Sequence, residues 1–128
     1  MQAKFIVGVA IGSFALGAAA MQTLHAAGTP PAYVIGEINV KDEVGYKNDF
    51  LPPARKAIAD NGGKYIAGGF NKTAAFDGAP PPNRVVVLQF ESMDKAKAWN
   101  DNPANKDARK IGDKYATFRT FAVEGVTP

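Results

Sequence analysis

Cysteine is absent from the 128 residues, and histidine occurs once, at His25. The first absence excludes disulfide frameworks, zinc-thiolate sites, iron-sulfur clusters and thiol nucleophiles. The second removes serine-histidine-aspartate catalysis, haem ligation by imidazole and histidine metal sites from the folded part, because His25 lies at the edge of an export-like segment. No cofactor and no metal site is therefore predicted. Gly62 and Gly63, and again Gly68 and Gly69, open no helix and so form no phosphate-binding loop. Charge of one sign is not in large excess either, with 15 Lys plus Arg against 12 Asp plus Glu. The basic residues Lys95, Lys97, Lys106, Arg109, Lys110 and Lys114 are interrupted by Asp94, Asp101, Asp107 and Asp113, which describes a solvated helix face and predicts no nucleic-acid partner.

The longest uncharged apolar run, Phe5 to Ala20, is diluted by Gly8, Gly12 and Gly17 and falls short of the roughly 20 apolar residues a spanning helix needs. Lys4 ahead of it and small residues behind it give the order of a secretory signal peptide. Residues 1–27 are read as that signal, with cleavage after Ala20 or after Ala27, and the protein as periplasmic or secreted with no stable membrane association after cleavage. Residues 28–31, with Pro30 and Pro31, form an extended tether. Residues 32–126 are one domain, since the chain is too short for two.

Within that domain Ala32 to Val40 alternates, with Val34, Ile38 and Val40 on one side and Tyr33, Ile35 and Glu37 on the other, predicting strand one. Asp42 and Glu43 start a helix in which Tyr46, Phe50, Ala54, Ala57 and Ile58 recur at helical spacing, running to about Asn61 with a kink, or two helical pieces meeting, at Pro52 and Pro53. Gly62 and Gly63 end it. Strand two is expected over Lys64 to Phe70, extended by a loose hairpin through Thr73 to Phe76. Strand three, Arg84 to Phe90, contains Val85, Val86, Val87 and Leu88 in succession, so both its faces need shielding. Ser92 caps a helix carrying Ala96 and Trp99, and Asn102 and Pro103 interrupt it. A further helix spans about Ala104 to Tyr115, and Thr117 to Glu124 is strand four.

The resulting class is α+β, a ferredoxin-like βαββαβ order with an antiparallel four-stranded sheet and helices on one face. The opposite face is also apolar. At about 25 cal/mol per Å², leaving several hundred Å² of it in water forgoes several kcal/mol, so a homodimer pairing sheet with sheet is expected, with a hydrophobic ligand or a different chain as the other possible cover.

Ala32-Tyr33-Val34-Ile35, Gly62-Gly63-Lys64-Tyr65, the phrase from Arg84 through Glu91-Ser92-Met93 to Trp99, and Val123-Glu124-Gly125-Val126 together resemble the bacterial family named domain of unknown function thirteen-thirty. The resemblance implies a dimeric α/β barrel to which no reaction is assigned. Asn100 and Asn105 stand where that family usually has tyrosines, and Gln89 where it has a glutamate.

Glu37 is the one acid expected on the second sheet face. An acid in an apolar setting is how a general base near neutrality is made, and in that reading Glu37 abstracts a proton while Arg119, beside Phe121, stabilises the anion. In the other reading Glu37 is a satisfied charge paired with Arg119 or with Arg84. Tyr33, Gln89, Arg84 and Trp99 are the candidate ligand contacts, with Trp99 at a pocket mouth. Three functions are compatible with these residues: an exported homodimer holding a small, partly apolar molecule between sheet and helices; a cofactor-free oxygenase or isomerase for a small aromatic or carbonyl compound, by analogy with the dimeric α/β-barrel superfamily; or a filled structural dimer with no ligand.

Overall fold

In the computed structural model, which describes residues 28–127, the chain is ordered β1 (Ala32–Val40), α1, β2 (Lys64–Gly69), β3 (Arg84–Phe90), α2 (Met93–Asp101), α3 (Pro103–Gly112) and β4 (Ala116–Glu124). The expected signal peptide over residues 1–27 lies outside the described residues. The strands form a single antiparallel sheet in the order β2-β3-β1-β4, which is the ferredoxin-like α+β arrangement.

The period of two along β1 and β3 decides what faces what. Val34 opposes Leu88 and Gly36 opposes Val86 in the register, and all four are buried under the helices. Their chain neighbours Ile35, Val85 and Val87 point to the other side and are only half-buried. Two clusters fill the helix side: Tyr46, Phe50, Leu51 and Ala54 on Ile38 and Val86, and Ile58, Ala96 and Trp99 on Val34, Leu88 and Phe90. Phe90 and Trp99 stack at 5.3 Å between ring centroids.

Helix α1 consists of a turn at Glu43–Gly45, a π-helical segment at Tyr46–Phe50 and an α-helical part at Leu51–Asp60. Asp42 caps its start, its Oδ1 accepting from the Gly45 amide at 3.1 Å. Of the two forms expected at Pro52 and Pro53, the helix takes that of separate pieces, joined through this π-helical segment just before the prolines. Leu51 donates to the Tyr46 carbonyl five residues back, so the turn is widened where the proline rings would crowd an ordinary one. The prolines then occupy the first turn of the α-helical part, where missing amide protons cost little.

The hairpin expected from Thr73 to Phe76 does not form. Gly68 and Gly69 take positive φ of 94° and 73° at the end of β2, turning the chain away from the sheet, and a Cβ on Gly68 would sit 1.9 Å from the Val85 carbonyl oxygen. Residues 70–83 are consequently an exposed connection without strand or helix. Asn102 ends α2 and starts α3, its Oδ1 accepting from Ala104 at 2.9 Å, with Pro103 as the first helical residue. Helix α3 stops at Gly112, short of the expected Tyr115. No helix among the described residues is long and apolar enough to cross a membrane.

Candidate functional site

The six residues picked out from sequence fall on two sides of the sheet. Glu37 and Arg119 are opposite each other in the β1–β4 register on the open face, and Arg119 Nη1 donates to Glu37 Oε2. Arg119 also lies over the Phe121 ring at 4.8 Å. Its side chain is 71% exposed and that of Glu37 33%, so the pair is in contact with water. Tyr33 and Gln89 are register partners, half-buried on this same face.

Arg84 is elsewhere. It pairs in register with Ile38 on the helix side and is 2% exposed, so it is no partner of Glu37. The parity that buries Val86 and Leu88 buries Arg84 with them. Its guanidinium stands over Phe70 at 4.2 Å and over Tyr46 at 5.2 Å. Trp99, from α2, comes to the same side and is buried.

Arg84 and Trp99 line a narrow cavity of about 40 Å³ between sheet and helices. Tyr46 from α1, Tyr65 from β2, Thr120 from β4 and Asn105 and Arg109 from α3 are the rest of its polar lining, and Val34, Ile38, Val86, Leu88 and Phe118 supply apolar wall. Gly36 is part of that wall; a Cβ there would meet Val86 Cγ2 at 2.8 Å. Asn105 is buried and donates through Nδ2 to the Asn100 carbonyl at 3.3 Å. Sequence pattern alone places Tyr46 in plain core and Arg109 on a solvated helix face, and so misses both. A signal for α3 is nevertheless present: Asn105, Ala108, Arg109 and Gly112 form one stripe at spacings of three and four.

Five buried polar atoms among the described residues have no hydrogen-bond partner: Tyr46 Oη, Arg84 Nε and Nη1, Trp99 Nε1 and Arg109 Nε. All belong to residues lining this cavity. Native interiors leave few such groups, because each costs about 1–3 kcal/mol when it goes unpaired. Burial pushes the Tyr46 phenol above its ordinary pKa, with Arg84 opposing the shift. Burial likewise lowers the Arg109 guanidinium, with Asp113 and Tyr46 opposing. The cavity thus brings two phenols, of Tyr46 and Tyr65, beside two guanidinium groups.

The cavity adjoins an open groove of about 390 Å³, with which it shares Val34, Trp99 and Thr120; the groove adds Met93, Ala96 and Phe121. Trp99 thus stands at the boundary between the narrow cavity and the wider groove. Among the described residues no three His, Cys, Asp or Glu side chains group as a metal site would require.

Residues 31–126 match the family described as Domain of unknown function (DUF1330). The chain belongs to this family. No curated protein matches the sequence. Among solved structures, it is similar to a protein of unknown function from Rhodopseudomonas palustris, at 12% identity and a TM-score of 0.60, over 77% of this chain and 85% of that one. It is also similar to SnoaB, a cofactor-independent oxygenase from Streptomyces nogalater, at 9% identity and a TM-score of 0.57, over 78% of this chain and 97% of that one. At these identities the likeness is one of fold alone: this DUF1330 chain shares with them its ferredoxin-like α+β arrangement of sheet and helices.

Proposed function

We propose that this DUF1330 protein is an exported homodimer that binds a small, partly apolar molecule in the chamber between sheet and helices. The observation that carries the reading is the set of five unpartnered polar atoms around one narrow cavity between sheet and helices. A filled structural dimer has no use for them, since apolar residues of similar size would pack there at lower cost. Pairing between copies is supported by the open sheet face, where Phe121 and Val123 are 42% and 51% exposed beside Ile35, Val85 and Val87. Export is supported by the order of charge, apolar run and small residues before Gly28.

Catalysis of the kind named for SnoaB is the second reading, with Glu37 as base and Arg119 as anion stabiliser. Binding is preferred because Glu37 is already engaged by Arg119, and because that pair and the chamber lie on opposite faces of the sheet. Native mass spectrometry of the protein purified from its own host, followed by thermal shifts with the molecule released, tests the reading. A stoichiometric small molecule that raises the melting temperature is expected. A clean apo mass together with no shift across a panel of acids, amides and aromatics overturns it.

A further inference from the structure

The geometry points to a small carboxylate as the ligand of the chamber, its head group held by Arg84 and Arg109 and its carbon chain directed past Trp99 toward the open groove. This deepens the proposed binding function and rests on it. Four of the five unpartnered atoms are N–H groups of arginine or tryptophan, which donate and never accept. The fifth, Tyr46 Oη, can donate as well, and Tyr46 lies within the electrostatic reach of both Arg84 and Arg109. The lining includes no aspartate and no glutamate. A water molecule satisfies a lone donor, yet it brings no negative charge to Arg84, which is 2% exposed, or to the half-buried Arg109, which has Asp113 as an acidic neighbour. An acceptor-only anion meets both needs, and a carboxylate presents two oxygens to a guanidinium fork.

Size narrows the class further. A chamber of about 40 Å³ holds a few water-sized atoms, and a dry cavity that takes benzene measures about 150 Å³. The narrow part thus suits a carboxylate head and one or two carbons rather than an aromatic ring. The adjoining groove, walled by Met93, Ala96, Trp99 and Phe121, accepts the remaining carbons.

The test is a thermal-shift and calorimetric series on the full exported chain with acetate, butyrate and hexanoate, the matching amides, and inorganic phosphate. The acids are expected to bind and the amides to bind at least tenfold more weakly, the loss of one charge-assisted contact being worth roughly that factor. Affinity should rise about threefold to fourfold per added methylene while the chain remains on apolar wall. Arg84→Met should abolish the preference for acids over amides and, by removing an uncompensated buried cation, raise the melting temperature in acid-free buffer. Should that variant fail to fold, Arg84→Lys keeps the charge without the fork, and at least tenfold weaker acid binding is expected of it. Amides binding as well as acids would overturn the carboxylate assignment and leave the ligand chamber standing, as would phosphate binding more tightly than every acid. No binding by any compound, with a clean apo mass, would remove chamber and carboxylate together.

Discussion

The two faces of the sheet carry similar residue types and treat them in opposite ways. On the helix side Arg84 is buried without a carboxylate, and Arg109 is half-buried with one unpartnered nitrogen. On the open side Arg119 is exposed, and it is the one with an acid bound to it. Desolvation makes the difference consequential. An exposed ion pair is worth little because water already serves both ions, whereas a buried cation without a counter-charge is costly to keep. Chemistry should therefore be sought where the cost is carried, and the pair first singled out from sequence is on the cheaper side.

The largest effect expected on this contrast comes from the helix side. Phe90, 1% exposed against Trp99, should cost about 3–5 kcal/mol when replaced by alanine, measured by urea denaturation. A loss below about 1 kcal/mol would mean that this face is not the core. Val87→Asp probes the other side. Its side chain is half-buried on the open face, so the subunit should keep its helical circular dichroism while the association constant of the proposed homodimer weakens by roughly thirtyfold or more, the scale of a residue central to an interface. Light scattering that finds the substituted protein as dimeric as the original at micromolar concentration would take this face out of the interface.

How much of the molecule is legible in its sequence depends on how local the cause is. The period of two along Val34 to Ile38 and Val85 to Gln89 assigns both faces of β1 and β3 correctly, because strand alternation is geometric. The same parity assigns Arg84 to the buried side. What obscures it is the expectation that an arginine seeks an acid or water, a preference that tertiary packing overrides. The pairing of Glu37 with Arg119 is readable as one of two alternatives, and register selects it. Residue spacing predicts α1 but not its π-helical turn, which answers prolines further along the chain. A ligand between sheet and helices, with Arg84 and Trp99 touching it, is readable, but the shape of the chamber is not, since it exists only where α1, α2 and α3 meet the sheet and leave a gap above Gly36.

A double-mutant cycle over Glu37→Gln and Arg119→Met sharpens the contrast at lower energy. Coupling of about 0.2–1 kcal/mol, shrinking with added salt, is expected for a pair this exposed when measured on the Val87→Asp subunit. Coupling well above that range would mean the pair is desolvated even without a partner copy, and the cheap side would no longer be cheap.

The finest comparison is between two tyrosines whose phenols are both raised, for different reasons. Burial raises Tyr46, on the chamber side. Tyr115, at the edge, is raised chiefly by donating its hydroxyl to Asp49 Oδ2 at 2.6 Å. In each case the fold favours the protonated phenol, so the folded-state pKa exceeds the unfolded one. The associated stability is complete below the ordinary value of about 10 and is lost as pH rises through the raised folded values. Ring-carbon resonances followed through an alkaline titration resolve the two. Asp49→Asn should bring Tyr115 down toward its ordinary value while leaving Tyr46 raised. Arg84→Met should do the reverse, moving Tyr46 still higher, because the guanidinium that opposed the burial shift is gone, and leaving Tyr115 unmoved. If Tyr46 fell in that variant, the cation would not be acting on the chamber, and the argument that buried Arg84 sets the charge of its ligand would lose its electrostatic footing.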